Sequence, residues 1–297
     1  KNFTCRRMVP EQLWTTTRAL SPSPVCTSIR SKKTSIPLGD ALGDEPVTAQ
    51  EAENIYDAIS EVDPYDYGSV TVNATKSYTF TLNNTGGVTA TGMGGSGLAS
   101  PFNFLGGSYP GTGGSCGASL PNGSNCTVVV EFAPTSAVGS NDTIEINYFN
   151  GAASATSTRD VQGTGISPAV IGISESDPYS YGLIANGGTK SHTFTLTNTG
   201  ASPATAMSEV GLAAPFNFLG GGYPGTGGDC GATLAAGGGT CTIVVQYSPS
   251  SIGANSDTIE ISYNNGATVQ TSLRDIQGSA GAPATLSFSG VSPYDFG

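Results

Sequence analysis

Apolar and polar residues alternate along most of the chain from residue 65 onward. Tyr78, Phe80 and Leu82, for example, alternate with Thr79 and Thr81. A period of two places successive side chains on opposite faces of a strand, with the apolar face toward a core. Glycine, asparagine and proline separate these segments, and no stretch between residues 65 and 297 has helical spacing. The pattern predicts an all-β fold.

The chain repeats itself with a spacing of 114 or 115 residues. DPYDYG at 63–68 returns as DPYSYG at 177–182, and SPYDFG ends the sequence at 292–297. A unit of this length is a whole domain rather than a solenoid repeat. About seven short strands in about 110 residues are typical of an immunoglobulin-like β-sandwich. We therefore predict an extended N-terminal segment, either an arm or the remnant of a preceding region, at 1–53, two tandem immunoglobulin-like sandwiches at 54–166 and 167–281, and the first strand of an incomplete third repeat at 282–297.

Both repeats carry the same short motifs in the same order. In the first repeat they are TFTLNNTG at 79–86, CGASL at 116–120, CTVVVEFAP at 126–134, DTIEI at 142–146 and RDVQGTG at 159–165. In this order the motifs resemble the choice-of-anchor D and Hydin-like family of bacterial immunoglobulin-like repeats, and the resemblance covers about residues 54–297. It implies extracytoplasmic or surface proteins whose modules are joined in tandem as stalks, adhesive arms or spacers. It implies no catalytic residues.

Charge is unevenly distributed along the 297 residues. The formal net charge is -11, yet seven of the eleven lysines and arginines lie in the first 33 positions, where Glu11 is the only acid. The acidic body opposes nucleic-acid binding, which needs a basic face. A basic head on an acidic body favours contact between head and body or between neighbouring molecules. No apolar run approaches the roughly 18 residues that a transmembrane segment needs.

The six cysteines form three local pairs. Two of these pairs recur at matching places in the two repeats, and no further histidine or cysteine lies near enough to suggest a zinc site. We predict the disulfides Cys5–Cys26, Cys116–Cys126 and Cys230–Cys241. Disulfides persist in oxidising compartments, so we expect an extracellular or cell-surface location.

The cysteine-bearing loop is the most similar segment of the two repeats, with sixteen of nineteen residues identical between 102–120 and 216–234. One interpretation, which we favour, is that its phenylalanines close the end of the sandwich and its disulfide holds the returning strand. The other is a contact surface in which two tyrosines project toward a ligand or the next subunit. The candidate contact residues are Phe102, Phe104, Tyr109, Phe216, Phe218 and Tyr223.

Signals for catalysis or for a cofactor are weak. The one histidine, His192, takes the place of Tyr78 inside a strand, and we predict that the chain is not an enzyme. Acidic groups near Asp63, Asp66, Asp142 and Glu145 could collect calcium at a domain junction, but a solvated acidic face is the favoured interpretation and no cofactor is predicted. Lys190 and its equivalent in the first repeat could form an isopeptide bond, although solvated lysines at strand starts are favoured.

The last segment carries one amphipathic strand, with Leu286 and Phe288 on its apolar face. Either it belongs to a longer array of repeats, or it is donated to the sheet of a neighbouring subunit, which would link subunits head to tail into a fibre. We expect a non-enzymatic bacterial surface or secreted protein that forms a stalk or filament and has an adhesive role. Its partner would be itself or other surface components, not nucleic acid. The alternative is a glycan- or calcium-binding accessory module of a larger secreted protein.

Overall fold

A computed structural model describes residues 59–289, 293 and 295–296 of the chain. These residues form strands, turns and loops only, which confirms the all-β prediction. None of them belongs to a helix that is long and apolar enough to span a membrane. The predicted N-terminal segment and the Cys5–Cys26 pair lie outside the described residues.

The first repeat contains eight strands in two sheets. They are β1 (Tyr65–Thr71), β2 (Lys76–Asn83), β3 (Ala90–Ser96), β4 (Phe102–Phe104), β5 (Ser119–Leu120), β6 (Asn125–Phe132), β7 (Gly139–Phe149) and β8 (Ser154–Ile166). One sheet has the order β1-β8-β7-β3-β5 and the other the order β2-β6-β4. β1 runs parallel to β8, whereas β7 and β8 form a long antiparallel hairpin.

The second repeat also has eight described strands in a similar plan. Its strands are β9 (Ile171–Ile173), β10 (Tyr179–Ala185), β11 (Lys190–Asn198), β12 (Thr205–Glu209), β13 (Phe216–Phe218), β14 (Gly239–Tyr247), β15 (Gly253–Asn264) and β16 (Val269–Gly281). The sheets are β10-β16-β15-β12 and β13-β14-β11-β9. Strand β9 lies antiparallel to β11 at one sheet edge and pairs Ile171 with Asn198 and Ile173 with Leu196. An isolated bridge between Ala204 and Leu234 takes the place of β5.

Each repeat encloses its own core, built from the inward-facing residues of both sheets. In the first repeat Tyr67 is fully enclosed, and its hydroxyl donates a hydrogen bond of 2.8 Å to the carbonyl of Val130 in the opposite sheet. Tyr181 makes the same bond to Val245 in the second repeat, at 2.9 Å. Burial raises the pKa of both tyrosines, so both stay neutral donors. This bond ties the two sheets together.

A glycine in the last strand allows an aromatic ring to lie against the backbone. A Cβ atom at Gly163 would lie 2.7 Å from a ring carbon of Phe132, and one at Gly278 would lie 2.5 Å from the ring of Tyr247. Both rings are fully buried, so they have no room to move aside. The RDxQG motif therefore needs its glycine for packing.

The segment after β16 differs from the expectation of a further strand. Residues 282–289 pair with no strand among the described residues. Leu286 and Phe288 are 97% and 104% exposed. The first strand of a third repeat stays a prediction.

We expect Gly163→Val to lower the free energy of unfolding of the first repeat by about 1–3 kcal/mol, because the added methyl groups overpack the Phe132 ring. Equilibrium denaturation in urea measures the change. Gly94→Val in β3 is the control, because a Cβ there meets nothing within 4 Å. Equal losses in the two variants would contradict the packing explanation.

Candidate functional site

Both predicted disulfides within the described residues are present. Cys116 is bonded to Cys126 and Cys230 to Cys241, and all four cysteines are buried. Each bond joins the end of the glycine-rich loop to the start of the following strand, β6 or β14. The disulfide therefore fixes the loop to the strand that it leads into.

The loop also binds the neighbouring strand through its backbone. In the first repeat, the amide of Val129 donates to the carbonyl of Pro110 at 2.8 Å, and the amide of Leu105 donates to the carbonyl of Val129 at 2.9 Å. Gly111 has a φ of 87°, and a Cβ atom there would collide with the carbonyl oxygen of Val129. The near-identity of the two loops thus reflects close backbone contact with β6 and β14.

The candidate contact residues divide into two groups. The four phenylalanines are core residues and cannot reach a partner in this fold; Phe102, Phe104, Phe216 and Phe218 are 0%, 7%, 0% and 4% exposed. The two tyrosines are half-buried, each with its ring edge-to-face against a phenylalanine. The hydroxyl of Tyr109 donates to the carbonyl of Gly117 at 3.3 Å, and Tyr223 makes the equivalent bond. A contact role for the two tyrosines stays a prediction.

The candidate calcium-binding acids are engaged by neighbouring groups. Asp142 accepts a hydrogen bond from the amide of Ala99 at 2.7 Å, and Asp63 accepts one from the amide of Asp160 at 2.9 Å. Asp66 accepts one from the amide of Gly68. Glu145 accepts a bond from the hydroxyl of Ser96. In the part of the chain that the structure describes, no three acidic, histidine or cysteine side chains form a group suited to a metal ion.

His192 takes part in an aromatic cluster that both repeats share. Its ring stacks on Tyr179 with the centroids 4.1 Å apart, and its Nε2 lies 3.4 Å from a carboxylate oxygen of Glu175. In the first repeat Tyr78 stacks on Tyr65 at 4.2 Å and donates to Glu61 at 2.6 Å. The histidine thus takes the position of Tyr78, beside Glu175, which corresponds to Glu61.

The glutamate in this cluster controls the ionisation of its tyrosine. The hydrogen bond to Glu61, together with desolvation, raises the pKa of Tyr78 to about 12. Glu61 and Glu175 have φ values of 80° and 79°, a conformation that non-glycine residues seldom adopt. The same unusual backbone in both repeats orients the carboxylate toward the aromatic pair.

A lysine at the start of β2 and β11 bonds to the backbone of the adjacent first-sheet strand. Nζ of Lys76 donates to the carbonyl of Tyr67 at 2.7 Å, and Nζ of Lys190 donates to the carbonyl of Tyr181 at 2.8 Å. The interpretation of these lysines as solvated residues is therefore incomplete. Their observed partner is a backbone carbonyl in both repeats.

An arginine from the last strand, buried in the first repeat and partly buried in the second, bonds to the beginning of each repeat. Nη2 of Arg159 in β8 donates to the carbonyl of Ile59, and Nη2 of Arg274 in β16 donates to the carbonyl of Ile173 at 2.5 Å. A carboxylate lies 3.9 Å from Arg159 and 3.8 Å from Arg274. Burial of a guanidinium without these partners would cost free energy. The arginine therefore favours a chain segment that places a backbone carbonyl beside it.

The connection between the repeats is short and hydrogen-bonded to the second repeat. β8 ends at Ile166 and β9 begins at Ile171. In between, the amide of Ala169 donates to the carbonyl of Asn265 at 2.9 Å, and the amide of Val170 donates to the side-chain oxygen of Asn198 at 3.1 Å. The linker residues are therefore part of the second sandwich.

One side-chain contact joins the two repeats directly. The hydroxyls of Thr71 and Ser202 form a hydrogen bond of 2.7 Å, and both residues are buried. A Cβ atom at Gly266 would lie 2.5 Å from the hydroxyl oxygen of Thr71, so the glycine leaves room for this approach. The last residue of β1 thus contacts the second repeat.

The sequence interpretation missed the residues that form this junction. Arg159 and Arg274 occur in a repeated RDxQG motif, and Asn198 in a repeated NTG motif, so the signal was their recurrence. Polar character alone did not indicate that these side chains are buried. Thr71 and Ser202 carry no sequence signal that predicts their contact.

Comparison with known proteins supports the fold. Residues 175–278 match the family model of the HYDIN/CFA65/VesB-like Ig-like domain, so the second repeat is similar to Hydin-like immunoglobulin domains. The choice-of-anchor D designation stays a prediction. No curated protein shows significant sequence similarity to the chain.

Several solved structures are similar at low sequence identity. A protein of unknown function from Porphyromonas gingivalis W83 is 11% identical over 71% of this chain and 94% of that one, with a TM-score of 0.26. The Vibrio cholerae VesB protease is 17% identical over 42% of this chain and 40% of that one, with a TM-score of 0.30. PapD-like domain 7 of human CEP192 is 14% identical over 39% and 89%, with a TM-score of 0.28.

We expect removal of one disulfide by the double substitution Cys116→Ala and Cys126→Ala to lower the free energy of unfolding of the first repeat by about 3 kcal/mol. The bond closes a loop of 10 residues and so restricts the unfolded chain. Chemical denaturation measures the loss of stability, and amide hydrogen exchange assigns this loss to one repeat. The Cys230→Ala and Cys241→Ala pair is the matched control and should destabilise the second repeat instead; an unchanged first repeat in the former variant would contradict the account.

Replacing Glu61 by glutamine should lower the pKa of Tyr78 from about 12 toward the ordinary value of about 10, because the carboxylate acceptor is lost. The Tyr78 pKa is raised on folding, so the stabilisation is complete below about pH 10 and is lost as the pH rises through about 12. Carbon-13 NMR of the tyrosine Cζ measures the titration. Glu145→Gln should leave Tyr78 unchanged, and an unshifted Tyr78 in Glu61→Gln would refute the assignment.

Proposed function

We propose that the chain is a non-enzymatic structural protein that is secreted by bacteria or attached to their surface. Its tandem immunoglobulin-like sandwiches act as a stalk or spacer. The observation that carries the proposal is the junction between the repeats. A spacer must transmit position from one end to the other, and that requires domains that do not rotate freely about a flexible linker.

The junction supplies three kinds of restraint. The four residues between β8 and β9 are too few to form a loose tether, and their backbone groups bond to the second repeat. The buried hydrogen bond between Thr71 and Ser202 adds a contact outside the linker. The guanidinium of Arg274 donates a hydrogen bond to the carbonyl of Ile173, the last residue of β9. Most inter-domain linkers lack such bonding and allow relative motion.

The two disulfides support an extracellular location. Both lie in equivalent loops and are buried, as is typical of structural rather than catalytic disulfides. An adhesive role and assembly into filaments are part of the same proposal, with the half-buried Tyr109 and Tyr223 as the candidate contacts of an adhesive loop.

The second candidate function is an accessory module of a larger secreted protein. The family match favours it, because the family model takes its name in part from VesB, and VesB of Vibrio cholerae is described as a protease. Glycan binding that is abolished by Tyr109→Ala and Tyr223→Ala together would favour this candidate over a spacer.

Pulsed electron paramagnetic resonance tests the stalk. Spin labels at Thr158→Cys in β8 and Thr271→Cys in β16 report the distance between the repeats from exposed strand positions. We expect a single narrow distance distribution. Insertion of four glycine and serine residues between Ile166 and Ser167 should broaden it, because the linker bonds are then lost.

The matched control places the same insertion in the exposed turn between β7 and β8, after Gly151. This turn does not belong to the junction, so the distribution should stay narrow. A broad distribution in the chain without any insertion would contradict a rigid stalk.

A further inference from the structure

The strand through which the chain leaves each repeat runs parallel to a strand near its entry. In the second repeat β10 runs parallel to β16, and in the first repeat β1 runs parallel to β8. We propose that each repeat bears tension applied along the chain, and that this parallel pair is the element that resists the tension. The inference deepens the proposed stalk function, on which it rests, by assigning a mechanical load to the stalk.

The chain enters and leaves the second repeat at opposite ends. At the entry, the amide of Ala169 donates to the carbonyl of Asn265, in the turn that precedes β16. β10 then runs in the same direction as β16, and its last residue, Ala185, lies opposite Gly281, the last residue of β16. Tension on the two flanking segments therefore pulls β10 and β16 in opposite directions along their own axes.

Side-chain bonds extend this pairing from β10 back toward the linker. Besides the bond from Arg274 described above, the hydroxyl of Ser272 in β16 donates to the carbonyl of Ile171 at 2.8 Å. The amide of Asp275 donates to a carboxylate oxygen of Asp177 at 3.0 Å. Together with the β10–β16 ladder, these bonds join the entry segment to the last strand from β9 to the exit.

The first repeat has a similar row of bonds from Ile59 onward. The guanidinium of Arg159 binds the carbonyl of Ile59, and the amide of Asp160 donates to a carboxylate oxygen of Asp63 at 2.9 Å. The β1–β8 ladder then continues to Ile166, where the chain leaves the repeat. Tension along the chain therefore loads both repeats in the same way.

The direction of loading decides how many bonds resist the force at once. When two paired strands are pulled past each other along their axes, the load is shared over the ladder and its bonds must break together. When a hairpin is pulled apart from its open end, the bonds break one pair at a time. Resistance to force is set by the barrier to unfolding rather than by equilibrium stability. Each repeat is therefore strong along the chain and weaker across it.

Single-molecule force spectroscopy on the full chain compares the two directions. Click-reactive unnatural residues in place of Thr164 and Ala282 load the second repeat from entry to exit, whereas those in place of Ser251 and Ala282 pull β15 and β16 apart from their open end. All three positions are exposed. At one loading rate, we expect the entry-to-exit direction to need roughly twofold higher force or more. Equal forces in the two directions overturn the proposal.

Paired variants test which bonds carry the load. Ser272→Ala combined with Asp177→Ala removes two bonds between the entry segment and β16, and should lower the entry-to-exit unfolding force. The matched control is Asp229→Ala, which removes two bonds between the loop and Thr242 of β14. Its unfolding force should equal that of the unchanged chain, because these bonds lie outside the loaded pair. Equal losses of force in the variant and its control overturn the assignment of the load.

Removal of the second disulfide separates mechanical from equilibrium stability. Cys230 and Cys241 lie outside β10 and β16, and their bond stabilises the fold mainly by restricting the unfolded chain. Cys230→Ala with Cys241→Ala should lengthen the unfolding step by about 35 Å, because the 11-residue separation can then extend. The entry-to-exit force should stay the same. A force that falls as far as in the Ser272→Ala and Asp177→Ala variant overturns the proposal.

The spin-label measurement distinguishes this inference from the stalk. Narrow spin-label distances together with equal forces in the two loading directions would leave the stalk intact and remove only this inference. A broad distance distribution together with a high entry-to-exit force would remove the rigid junction and leave each repeat as a load-bearing unit.

Discussion

Each sandwich binds the chain segment that leads into it. The rest of the structure depends on how firmly this segment is held. A guanidinium from the last strand binds the carbonyl of Ile59, before β1, in the first repeat and that of Ile173, in β9, in the second repeat. In the second repeat, the hydrogen bonds of Ala169 and Val170 extend this attachment to the linker that follows the first repeat. The connection between the domains is thereby part of the fold of the second domain.

The proposed stalk would draw its stiffness from these bonds and from a direct contact between the repeats. A direct contact is the buried hydroxyl pair of Thr71 and Ser202. Rotation about the linker would break this bond and also the hydrogen bonds of Ala169 and Val170 to the second repeat. The linker bonds form together with the second sandwich. Bending that breaks these bonds would therefore cost part of the free energy that stabilises the second repeat.

Much of the fold could be predicted from the sequence because strands, repeats and cysteines carry local signals. Alternation at Tyr78, Phe80 and Leu82 indicated a strand, and the recurring cysteine pairs indicated the two observed disulfides. The role of Arg159 could not be predicted in this way, since a charged residue in an alternating strand is ordinarily solvated. Its burial follows from a carbonyl 100 residues away, which only the three-dimensional arrangement brings near.

The loop phenylalanines illustrate the same limit. Repetition of the loop was consistent with either a contact surface or an internal plug, and no local pattern separates an exposed aromatic residue from a buried one. The structure places Phe102 against Phe132, with the ring centroids 4.8 Å apart, because β4 lies beside β6. The near-identity of the loop therefore accompanies a packing constraint.

Amide hydrogen exchange of the linker is the most direct test of the account. If the linker belongs to the second sandwich, the amides of Ala169, Val170 and Ile171 exchange about as slowly as the amide of Phe194 in β11, through opening of the whole repeat. If these three amides exchange orders of magnitude faster than Phe194, the linker is a loose tether and the central claim is wrong.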